Sequence, residues 1–520
     1  MKFLVTLASI ALLAVGAAGL PPDRNGGGSN NAADQYLVKS LPRVDFQIPK
    51  SWAGSLKVGS GFGSDSLFFW LWEAETQQGK DDLIIWFNGG PACSSLLGLF
   101  KIHGPVTFPR TATKPQRNPY SWTRGANIVY IDQPIGTGFS TGDSSRTDND
   151  NNIASVVKWL DSFFNVFPEM RSKKIHLMGE SYAGMFLPYI AKEIQAQQST
   201  LKVKVSSLSL GDAMWGNWAA VSNVAALSYI DEHRSDYGTK IPQDMYDALK
   251  QGDKDCGFPG VRAQIKYPPQ GPISIPGNPS GINFRRDSTS PPLGYNSVNC
   301  DFDDGGTNTP ERLAYIINHT GDKCFGVCDP FDAAYSYYLS PSSDRDFQSY
   351  NIHEKGRTGL YFDDAYIAYL NRADLRAAIH APTIKFTPCN DTLGHTLLMA
   401  DKDGRRPPPA YIVVPALISQ GVKVHIFNGL LDFVIPHTGQ DLILQNMTWG
   451  GTQGFTRRPT TDVLRNSKGQ KVSEGREERG LTYYTFDNAG HRVAQDDPEG
   501  ALQWLIRIVI KGPNAAWAWS

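Results

Sequence analysis

Seven short and almost continuous apolar runs are spread along the chain, and each is bounded by polar or turn-forming residues. They cover residues 67–71, 83–87, 128–131, 175–178, 205–210, 424–427 and 481–486. Runs of this length without polar alternation are typical of strands that are buried on both faces. Helical spacing of apolar side chains follows at 153–167 and 185–197. The alternation predicts an α/β fold, with a mostly parallel central sheet flanked by helices.

Residues 217–372 break this alternation. They are rich in Pro, Gly and Asp, they hold four of the six cysteines, and they include a long loop at 267–299. Such a segment is typical of a cap or lid and not of a sheet. We therefore predict an inserted cap subdomain at 217–372 between two parts of one α/β core, residues 36–216 and 373–520.

The N-terminus has the pattern of a secretory signal. Residues 1–19 contain a lysine, an apolar run and then small residues, which together predict a cleaved signal peptide. Residues 20–35 are expected to be a flexible N-terminal segment or pro-segment. No later stretch is long and apolar enough for a membrane helix, so the mature chain is expected to be soluble, with no membrane partner.

The balance of charge excludes one class of partner. The chain has 50 basic and 51 acidic residues, and no basic stripe is interleaved with aromatic side chains. Proteins that bind nucleic acid usually carry such a stripe, so nucleic acid is not an expected partner. No motif for a cofactor is found, and the cofactor prediction is none.

The cysteine content indicates an oxidising compartment. The chain has an even number of cysteines, Cys93, Cys256, Cys300, Cys324, Cys328 and Cys389, so three disulfides are predicted. A zinc site at Cys324 and Cys328 is the alternative, but no second Cys/His pair completes it, and no metal is expected. Three sequons predict glycosylation at Asn318, Asn390 and Asn446.

Residues 179–184, Gly-Glu-Ser-Tyr-Ala-Gly, lie between a strand-like and a helix-like run. This context predicts a nucleophile elbow, a tight turn that lifts Ser181 above the sheet edge and needs small residues two positions to either side. Gly179 and Ala183 meet that need. A strict Gly-x-Ser-x-Gly pattern surrounds Ser140, but no helix pattern follows it, so we interpret Ser140 as loop structure.

A serine hydroxyl is a weak nucleophile and needs a base and an acid, which in this fold class follow it along the chain in loops after later strands. Asp432 and His491 each come just after a strand-like run and are predicted as acid and base. The other histidines fit less well. His437 shares the Asp432 loop, His176 lies inside a strand, and His103 precedes the nucleophile.

The glycine-rich turn at 86–95 follows an early strand, where a hydrolase of this kind supplies one oxyanion N–H. We predict Gly90 as that donor, with the N–H of Tyr182, the residue after the nucleophile, as the second. A Gly-Gly-Pro turn without function is the alternative.

Four motifs in order resemble the serine carboxypeptidase family. They are Asn-Gly-Gly-Pro-x-Cys-Ser-Ser at 88–95, Asp-Gln-Pro-x-Gly-x-Gly-Phe-Ser at 132–140, residues 179–184, and Gly-His at 490–491. The resemblance covers about Tyr36 to Lys511. It implies an α/β-hydrolase fold with an inserted cap, a secretory or vacuolar location, and removal of C-terminal residues from peptides at acidic pH.

The resemblance also implies residue roles. Ser181, Asp432 and His491 would form the triad, and Gly90 with Tyr182 the oxyanion hole. Asn88 and Glu180 would be the ligands of the substrate's terminal carboxylate, with Trp86 behind them and Gly89 in the same substrate-binding site. Cys93 would pair with Cys389. The nested pairs Cys256–Cys328 and Cys300–Cys324 are favoured in the cap, but four cysteines allow three connectivities.

The chain departs from the family pattern around the carboxylate site. Ala92 replaces a glycine, Leu430 and Leu431 stand in the acid loop, Ile102 replaces a second glutamate, and Arg492 follows the histidine where methionine is common. We hypothesise that Arg492 partly replaces the lost acid in binding the substrate. The alternative is an Arg492 side chain turned to solvent.

The sequence therefore predicts a secreted serine-type carboxypeptidase, whose partners are peptides or proteins with a free C-terminus. An esterase or acyltransferase with the same triad is the enzymatic alternative, because fold and triad do not decide the acyl donor. A non-catalytic secreted glycoprotein is the third possibility. The oligomeric state cannot be predicted.

Overall fold

The computed structural model describes residues 32–59, 63–109, 112–234, 241–275, 330–339, 349–354, 364–402 and 407–512. Its strands are β1 (Leu37–Val38), β2 (Ser51–Lys57), β3 (Ser66–Trp72), β4 (Asp82–Phe87), β5 (Val106–Thr107), β6 (Gln116–Arg117), β7 (Asn127–Ile131), β8 (Lys174–Glu180), β9 (Val205–Gly211), β10 (Lys423–Gly429), β11 (Thr448–Trp449), β12 (Thr452–Gln453), β13 (Asp462–Arg465), β14 (Lys471–Glu478) and β15 (Leu481–Phe486).

Eleven of these strands form one sheet in the order β1-β2-β3-β7-β4-β8-β9-β10-β15-β14-β13. The central strands from β7 to β15 in this order are parallel, and antiparallel strands lie at both edges. Each of the seven predicted runs lies inside one of these strands. Strand β3 is antiparallel to both of its neighbours. Its sequence could not reveal this direction, because an unbroken apolar run indicates burial of both faces and carries no information on strand direction.

The α-helices are α1 (Asn149–Val166), α2 (Ala183–Ala196), α3 (Gln198–Leu201), α4 (Val224–Glu232), α5 (Gln243–Asp255), α6 (Phe258–Arg262), α7 (Pro330–Leu339), α8 (Asp364–Leu370), α9 (Ala373–Ala378), α10 (Asp391–Lys402), α11 (Pro409–Ser419), α12 (His437–Asn446), α13 (Val493–Asp496) and α14 (Pro498–Trp504). Short 3₁₀ turns cover Asp34–Tyr36, Gln78–Asp81, Trp122–Arg124, Ser144–Arg146 and Pro168–Ser172, and π-helical turns cover Gly98–His103, Ala219–Asn223 and Leu505–Ile510.

Helix α1 begins earlier than its apolar spacing predicts. The Asp148 side chain accepts a hydrogen bond from the Asn151 N–H at 2.7 Å and so caps the helix N-terminus. The polar first turn therefore belongs to the helix, although it carries no apolar periodicity.

Both faces of the sheet are covered, and the apolar strands divide their side chains between two core clusters. In β3, Phe69 lies in the cluster formed with α1 and α2, while its neighbours Phe68 and Trp70 lie in the cluster on the opposite face, with α14. This alternation follows from the two-residue period of a strand. It explains why the strand sequences read as continuous apolar runs.

A third, smaller apolar cluster is formed mostly by residues of the segment that connects β9 to β10. It joins helices α4, α5 and α7 to Leu431 and Phe433, which flank Asp432. A separate cluster is what an inserted subdomain requires. Helix α8, although inside the predicted cap, packs in the second core cluster, where Tyr369 contacts Phe108 with 5.3 Å between ring centroids. The boundaries 217 and 372 remain predictions.

The packed body extends slightly into the segment that was expected to be flexible. Ala33 is buried in the first core cluster, and Tyr36 packs against it, with its ring 5.5 Å from that of Phe69. Within the residues described, no helix is long and apolar enough to cross a membrane.

The Cys93–Cys389 disulfide implied by the family resemblance is present, and it closes a sequence separation of 296 residues. Cys256 is also disulfide-bonded. The nested cap pairs and the zinc alternative involve Cys300, Cys324 and Cys328, which lie outside the described residues.

Of the three predicted glycosylation sites, Asn318 lies outside the described residues. Asn390 and Asn446 are half-buried, and their amide nitrogens donate to the carbonyls of Gly136 and Ile273, each at 3.0 Å. Glycosylation of these residues remains a prediction.

Candidate active site

Ser181 lies in the turn between β8 and α2 and has the left-handed backbone conformation of a nucleophile elbow, with φ at +61°. This conformation is costly for a residue with a Cβ. The turn is held by three backbone hydrogen bonds of 3.0 Å, in which the Ser181 N–H donates to Gly211 and its carbonyl accepts from Gly184 and Met214. Ser181 stays partly exposed in an otherwise buried stretch.

Small residues allow the elbow to pack closely. A Cβ on Gly179 would lie 2.8 Å from the Cβ of Ala183, so larger side chains at these two positions would collide. A Cβ on Gly89 would lie 2.8 Å from the Ser181 Cβ and 2.6 Å from the Tyr182 nitrogen. The glycine-rich turn after β4 therefore packs directly on the elbow.

Asp432 and His491 lie on the same side of the sheet as Ser181, at the carboxyl ends of the parallel strands. Strands β8, β10 and β15 run parallel, and Ser181, Asp432 and His491 follow their respective carboxyl ends. His491 Nδ1 lies 2.7 Å from Asp432 Oδ2, and both side chains are buried. Asp432 Oδ1 accepts from the Val434 N–H at 2.8 Å. A carboxylate on Nδ1 favours the tautomer with its proton there, which leaves Nε2 as the basic nitrogen.

The segment 349–354 holds the acid and base loops together, and the sequence contains no pattern that could have revealed it. The Tyr350 carbonyl accepts from the His491 N–H at 2.7 Å, and the two rings meet edge to face at 4.9 Å. The Ser349 carbonyl accepts from the Phe433 N–H at 3.0 Å. Part of the predicted cap thus contacts His491, the predicted base.

A chain of hydrogen bonds fixes the orientation of Asn88 beside the nucleophile. Asn88 Oδ1 accepts from Trp86 Nε1 at 2.8 Å and from the Gly98 N–H at 3.0 Å. The amide nitrogen must therefore point the other way, and it donates to Glu180 Oε1 at 2.8 Å. All of these side chains are buried.

Glu180 is protonated through much of the acidic range. Burial raises the pKa of its carboxyl to about 7, although the positive charges of His491 and Arg492 oppose that rise. Below this pH the group is a neutral acid that can donate a hydrogen bond.

Gly90 is exposed at the turn, with φ at +112°, and its N–H makes no hydrogen bond within the described part of the chain. Tyr182 stands at the N-terminus of α2, where helix N–H groups favour negative charge. Both predicted oxyanion donors therefore belong to segments that pack on the Ser181 elbow. Ala92, which replaces the family glycine, retains a left-handed conformation with φ at +62°.

The alternative of an Arg492 side chain turned to solvent is wrong, since only 8% of this residue is exposed. Its Nη1 donates to Gln495 Oε1 at 3.0 Å. Burial raises the pKa of both the Glu180 and the Asp496 carboxyl, and the Arg492 charge opposes that rise in each. The guanidinium therefore lies close enough to act electrostatically on the site.

The competing serine and histidines have structural surroundings. Ser140 Oγ accepts from the Phe68 N–H at 2.8 Å and donates to a buried carbonyl. His176 bonds Asp82 at 2.9 Å near the amino end of β8, at the opposite sheet edge from Ser181. His437 pairs with a glutamate on α4.

Ile102, where the family has a glutamate, is buried in the π-helical turn Gly98–His103. His103 next to it stacks on Trp122 at 4.1 Å, and burial lowers the pKa of its imidazole well below the usual range. The described turn at 98–103 therefore places no second acid at the family's glutamate position.

Sequence reasoning missed a second buried acid, Asp212, which directly follows β9. Its Oδ1 accepts from Asn428 Nδ2 at 2.7 Å and from the Gly429 N–H at 2.8 Å, at the end of β10. The sequence signal that could have found Asp212 is its position directly after a strand-like run, which is also the signal that identified Asp432.

The chain is similar to known proteins over most of its length. A model of the serine carboxypeptidase family matches residues 42–511. A carboxypeptidase Y homolog of Arthroderma benhamiae is 36% identical over 489 residues, which cover 92% of this chain and 93% of the relative. The serine-type carboxypeptidase F of Aspergillus niger is 26% identical over 515 residues, which cover 92% and 87% respectively.

A solved structure also resembles the chain. The crystal structure of a prohormone-processing carboxypeptidase from Saccharomyces cerevisiae matches with a TM-score of 0.67 at 20% identity, and the match covers 92% of this chain and 95% of that one. At this identity the likeness concerns the fold alone, and it confirms the predicted α/β-hydrolase architecture.

Proposed function

The chain belongs to the serine carboxypeptidase family and is a serine-type carboxypeptidase that releases C-terminal residues from peptides, and on that premise we propose that Ser181, His491 and Asp432 carry out the reaction. The observation that carries this assignment is the buried 2.7 Å contact between His491 Nδ1 and Asp432 Oδ2 at the sheet edge that also bears the Ser181 elbow.

In the acylation step, Ser181 Oγ attacks the carbonyl carbon of the last peptide bond while His491 Nε2 takes its proton. The N–H groups of Gly90 and Tyr182 stabilise the negative charge that develops on the carbonyl oxygen. The C–N bond then breaks, and Nε2 returns the proton to the leaving amine. Asp432 orients the imidazole and stabilises its positive charge throughout.

Water completes the reaction. The water oxygen adds to the acyl carbon while the water gives a proton to His491 Nε2. The bond between the acyl carbon and Ser181 Oγ then breaks, and Nε2 returns the proton to Oγ. The shortened peptide leaves with a free carboxylate, which makes it a substrate for another cycle.

The experiment that tests this function compares peptides that are identical except for a free or an amidated C-terminus. We expect single-residue release from the free peptide and much slower release from the amide, with products identified by mass. Internal cleavage of both peptides would indicate an endopeptidase, and hydrolysis of esters with no peptide cleavage would indicate the esterase alternative.

We further propose that Asn88 and Glu180 bind the terminal carboxylate of the substrate, with Trp86 fixing the Asn88 amide and Gly89 allowing the turn to pack against Glu180 and Ser181. A neutral Glu180 donates to the carboxylate, whereas an ionised one repels it. The raised pKa of Glu180 and the fixed direction of the Asn88 amide support this role.

The clamp predicts a pH-dependent KM. Glu180 is protonated below its pKa of about 7 and loses the proton above it, so KM for a free-carboxylate peptide should rise about tenfold between roughly pH 6 and 8. Glu180→Gln keeps a donor that cannot ionise and should flatten this rise. KM measured against pH for both enzymes checks this, with an ester substrate that has no carboxylate as the control. A parent-like rise in the glutamine variant would contradict the clamp.

Arg492 is proposed to contribute a permanent positive charge that favours an acidic terminal residue or helps to hold the terminal carboxylate. An arginine binds carboxylates without first gaining a proton. Its burial and its electrostatic effect on Glu180 support this proposal.

Arg492→Met should reduce the preference for acidic over neutral terminal residues by about fivefold, the effect of one partly buried charge. It should also steepen the rise of KM with pH. Competition between two peptides that differ in the last residue measures the preference. Arg507→Met is the control, because that arginine is paired with Asp462 at 2.8 Å. Identical preferences and pH profiles in parent and Arg492→Met would refute the role.

We also propose that residues 1–19 direct the chain into the secretory pathway, toward secretion or the vacuole, and that 217–372 act as a cap over the site. The Cys93–Cys389 disulfide supports an oxidising compartment, and the separate apolar cluster of α4, α5 and α7 supports the cap.

A further inference from the structure

A second buried carboxyl group lies against the acid of the catalytic pair. Asp212 follows β9, which lies in the sheet between β8, the strand before Ser181, and β10, the strand before Asp432. Only 1% of Asp212 is exposed. Its backbone N–H donates to the Phe427 carbonyl at 2.8 Å, and its φ is +42°. The side chain is therefore held in one place.

The hydrogen bonds of Asp212 are unevenly divided between its two oxygens. Oδ1 accepts from Asn428 Nδ2 at 2.7 Å and from the Gly429 N–H at 2.8 Å. Oδ2 is buried and receives no N–H or O–H donor in the described part of the chain. Asp432 adjoins this carboxyl group, because its N–H donates to the Gly429 carbonyl at 3.3 Å while the N–H of the same Gly429 donates to Asp212 Oδ1.

Two neighbouring carboxyl groups in a buried site need one proton between them, because two buried negative charges repel strongly. Both oxygens of Asp432 already face N–H donors, those of Val434 and His491. Asp212 Oδ2 faces none. The shared proton therefore belongs on Asp212 Oδ2, and Asp432 stays the carboxylate.

The surroundings of Asp212 favour the neutral form. Burial and then the negative charge of Asp432 raise the pKa of the Asp212 carboxyl well above its usual value, and Glu180 adds to that rise. The hydrogen bond from Gly429 opposes it. The buried Tyr483 phenol on β15 also lies near Asp212, and burial raises the pKa of this phenol well above its usual value.

We propose that Asp212 is a positioning residue for the catalytic pair, and that its protonated Oδ2 donates a hydrogen bond to Asp432 which holds the carboxylate toward His491. The hydrogen bond also spreads part of the Asp432 charge, which lessens the attraction between this carboxylate and the imidazolium formed during the reaction. This inference rests on the proposed roles of Asp432 and His491.

The test measures kcat and KM against pH for the parent, Asp212→Ala and Asp212→Asn. The alanine variant loses the donor, so we expect kcat to fall at least tenfold with KM within about twofold, and the acid limb of the kcat profile to move up by about half a pH unit or more. The asparagine amide can accept at Oδ1 and donate at the other position. It should therefore restore most of the lost kcat and leave the acid limb where it is in the parent.

Two outcomes would overturn the proposal. If Asp212 is ionised in the enzyme, Asp212→Asn removes a negative charge, and the acid limb moves to lower pH by about one unit. A parent-like kcat in the alanine variant would also overturn it. If the alanine variant does not fold, the asparagine profile alone decides.

Asp253→Asn controls for destabilisation, because Asp253 is a buried aspartate that pairs with Arg262 in the cap at 2.6 Å. It should lower the melting temperature without moving the acid limb. The same variants separate failure of this proposal from failure of the proposed function. If the proposed function is wrong, Ser181→Ala and Asp432→Asn keep activity. If only the role of Asp212 is wrong, both of these variants still lose activity.

Discussion

Ser181→Ala is expected to lower kcat by about four to six orders of magnitude, because removal of a triad nucleophile abolishes the acyl-enzyme route. KM should change little, since the alanine removes only the attacking oxygen. The backbone of the elbow does not depend on that oxygen, because its hydrogen bonds are made by main-chain groups. The variant should therefore fold and bind substrate normally.

Ser140→Ala is the matched control, because Ser140 belongs to the strict Gly-x-Ser-x-Gly pattern but bonds only structural groups, the Phe68 N–H and the Asp132 carbonyl. It should keep kcat within a few-fold and lose some stability. Steady-state kinetics, melting temperature and labelling by an organophosphorus reagent check both variants. Equal loss of activity in two folded variants would contradict the assignment.

Asp432→Asn should reduce kcat by about 10⁴-fold, because an amide can present a donor to His491 Nδ1 and so stabilise the wrong tautomer of the imidazole. KM should stay close to that of the parent, since Asp432 does not contact the terminal carboxylate clamp in the proposed mechanism.

The chain contains its own control for this prediction, a second buried aspartate–histidine pair. Asp82 Oδ1 lies 2.9 Å from His176 Nε2, near the amino ends of β4 and β8. Asp82→Asn should lower stability with kcat nearly unchanged, because this pair is far along the strands from Ser181. Loss of kcat in Asp82→Asn equal to that in Asp432→Asn would show that the effect is structural.

The carboxylate site shows how family resemblance and structure complement each other. The resemblance marked Ile102 and Arg492 as departures but could not say where either side chain lies. In the structure Ile102 is buried and Arg492 is 8% exposed, with its charge acting on Glu180. Burial of an arginine depends on the residues packed over it, which come from distant parts of the chain.

The sequence by itself determined the central strands and the elbow, because both depend on local patterns. Apolar runs mark strands that are covered on both faces, and small residues two positions to either side of Ser181, Gly179 and Ala183, mark a tight turn. The edge strands β13 and β14 carry many polar residues and were not predicted. The antiparallel direction of β3 was equally invisible, since side-chain patterns report burial and not strand direction.

Only the tertiary structure decided which groups surround the catalytic pair. Asp212 and Asp432 come together because the neighbouring parallel strands β9 and β10 end at the same side of the sheet. Tyr350 comes from a segment outside the sheet and contacts His491. Segment 349–354 has no motif, and Asp212 has no recognisable partner in its own sequence neighbourhood. Contacts between residues far apart in sequence leave no local pattern, so the hydrogen bonds that orient His491 and Asp432 become visible only when the sheet is assembled.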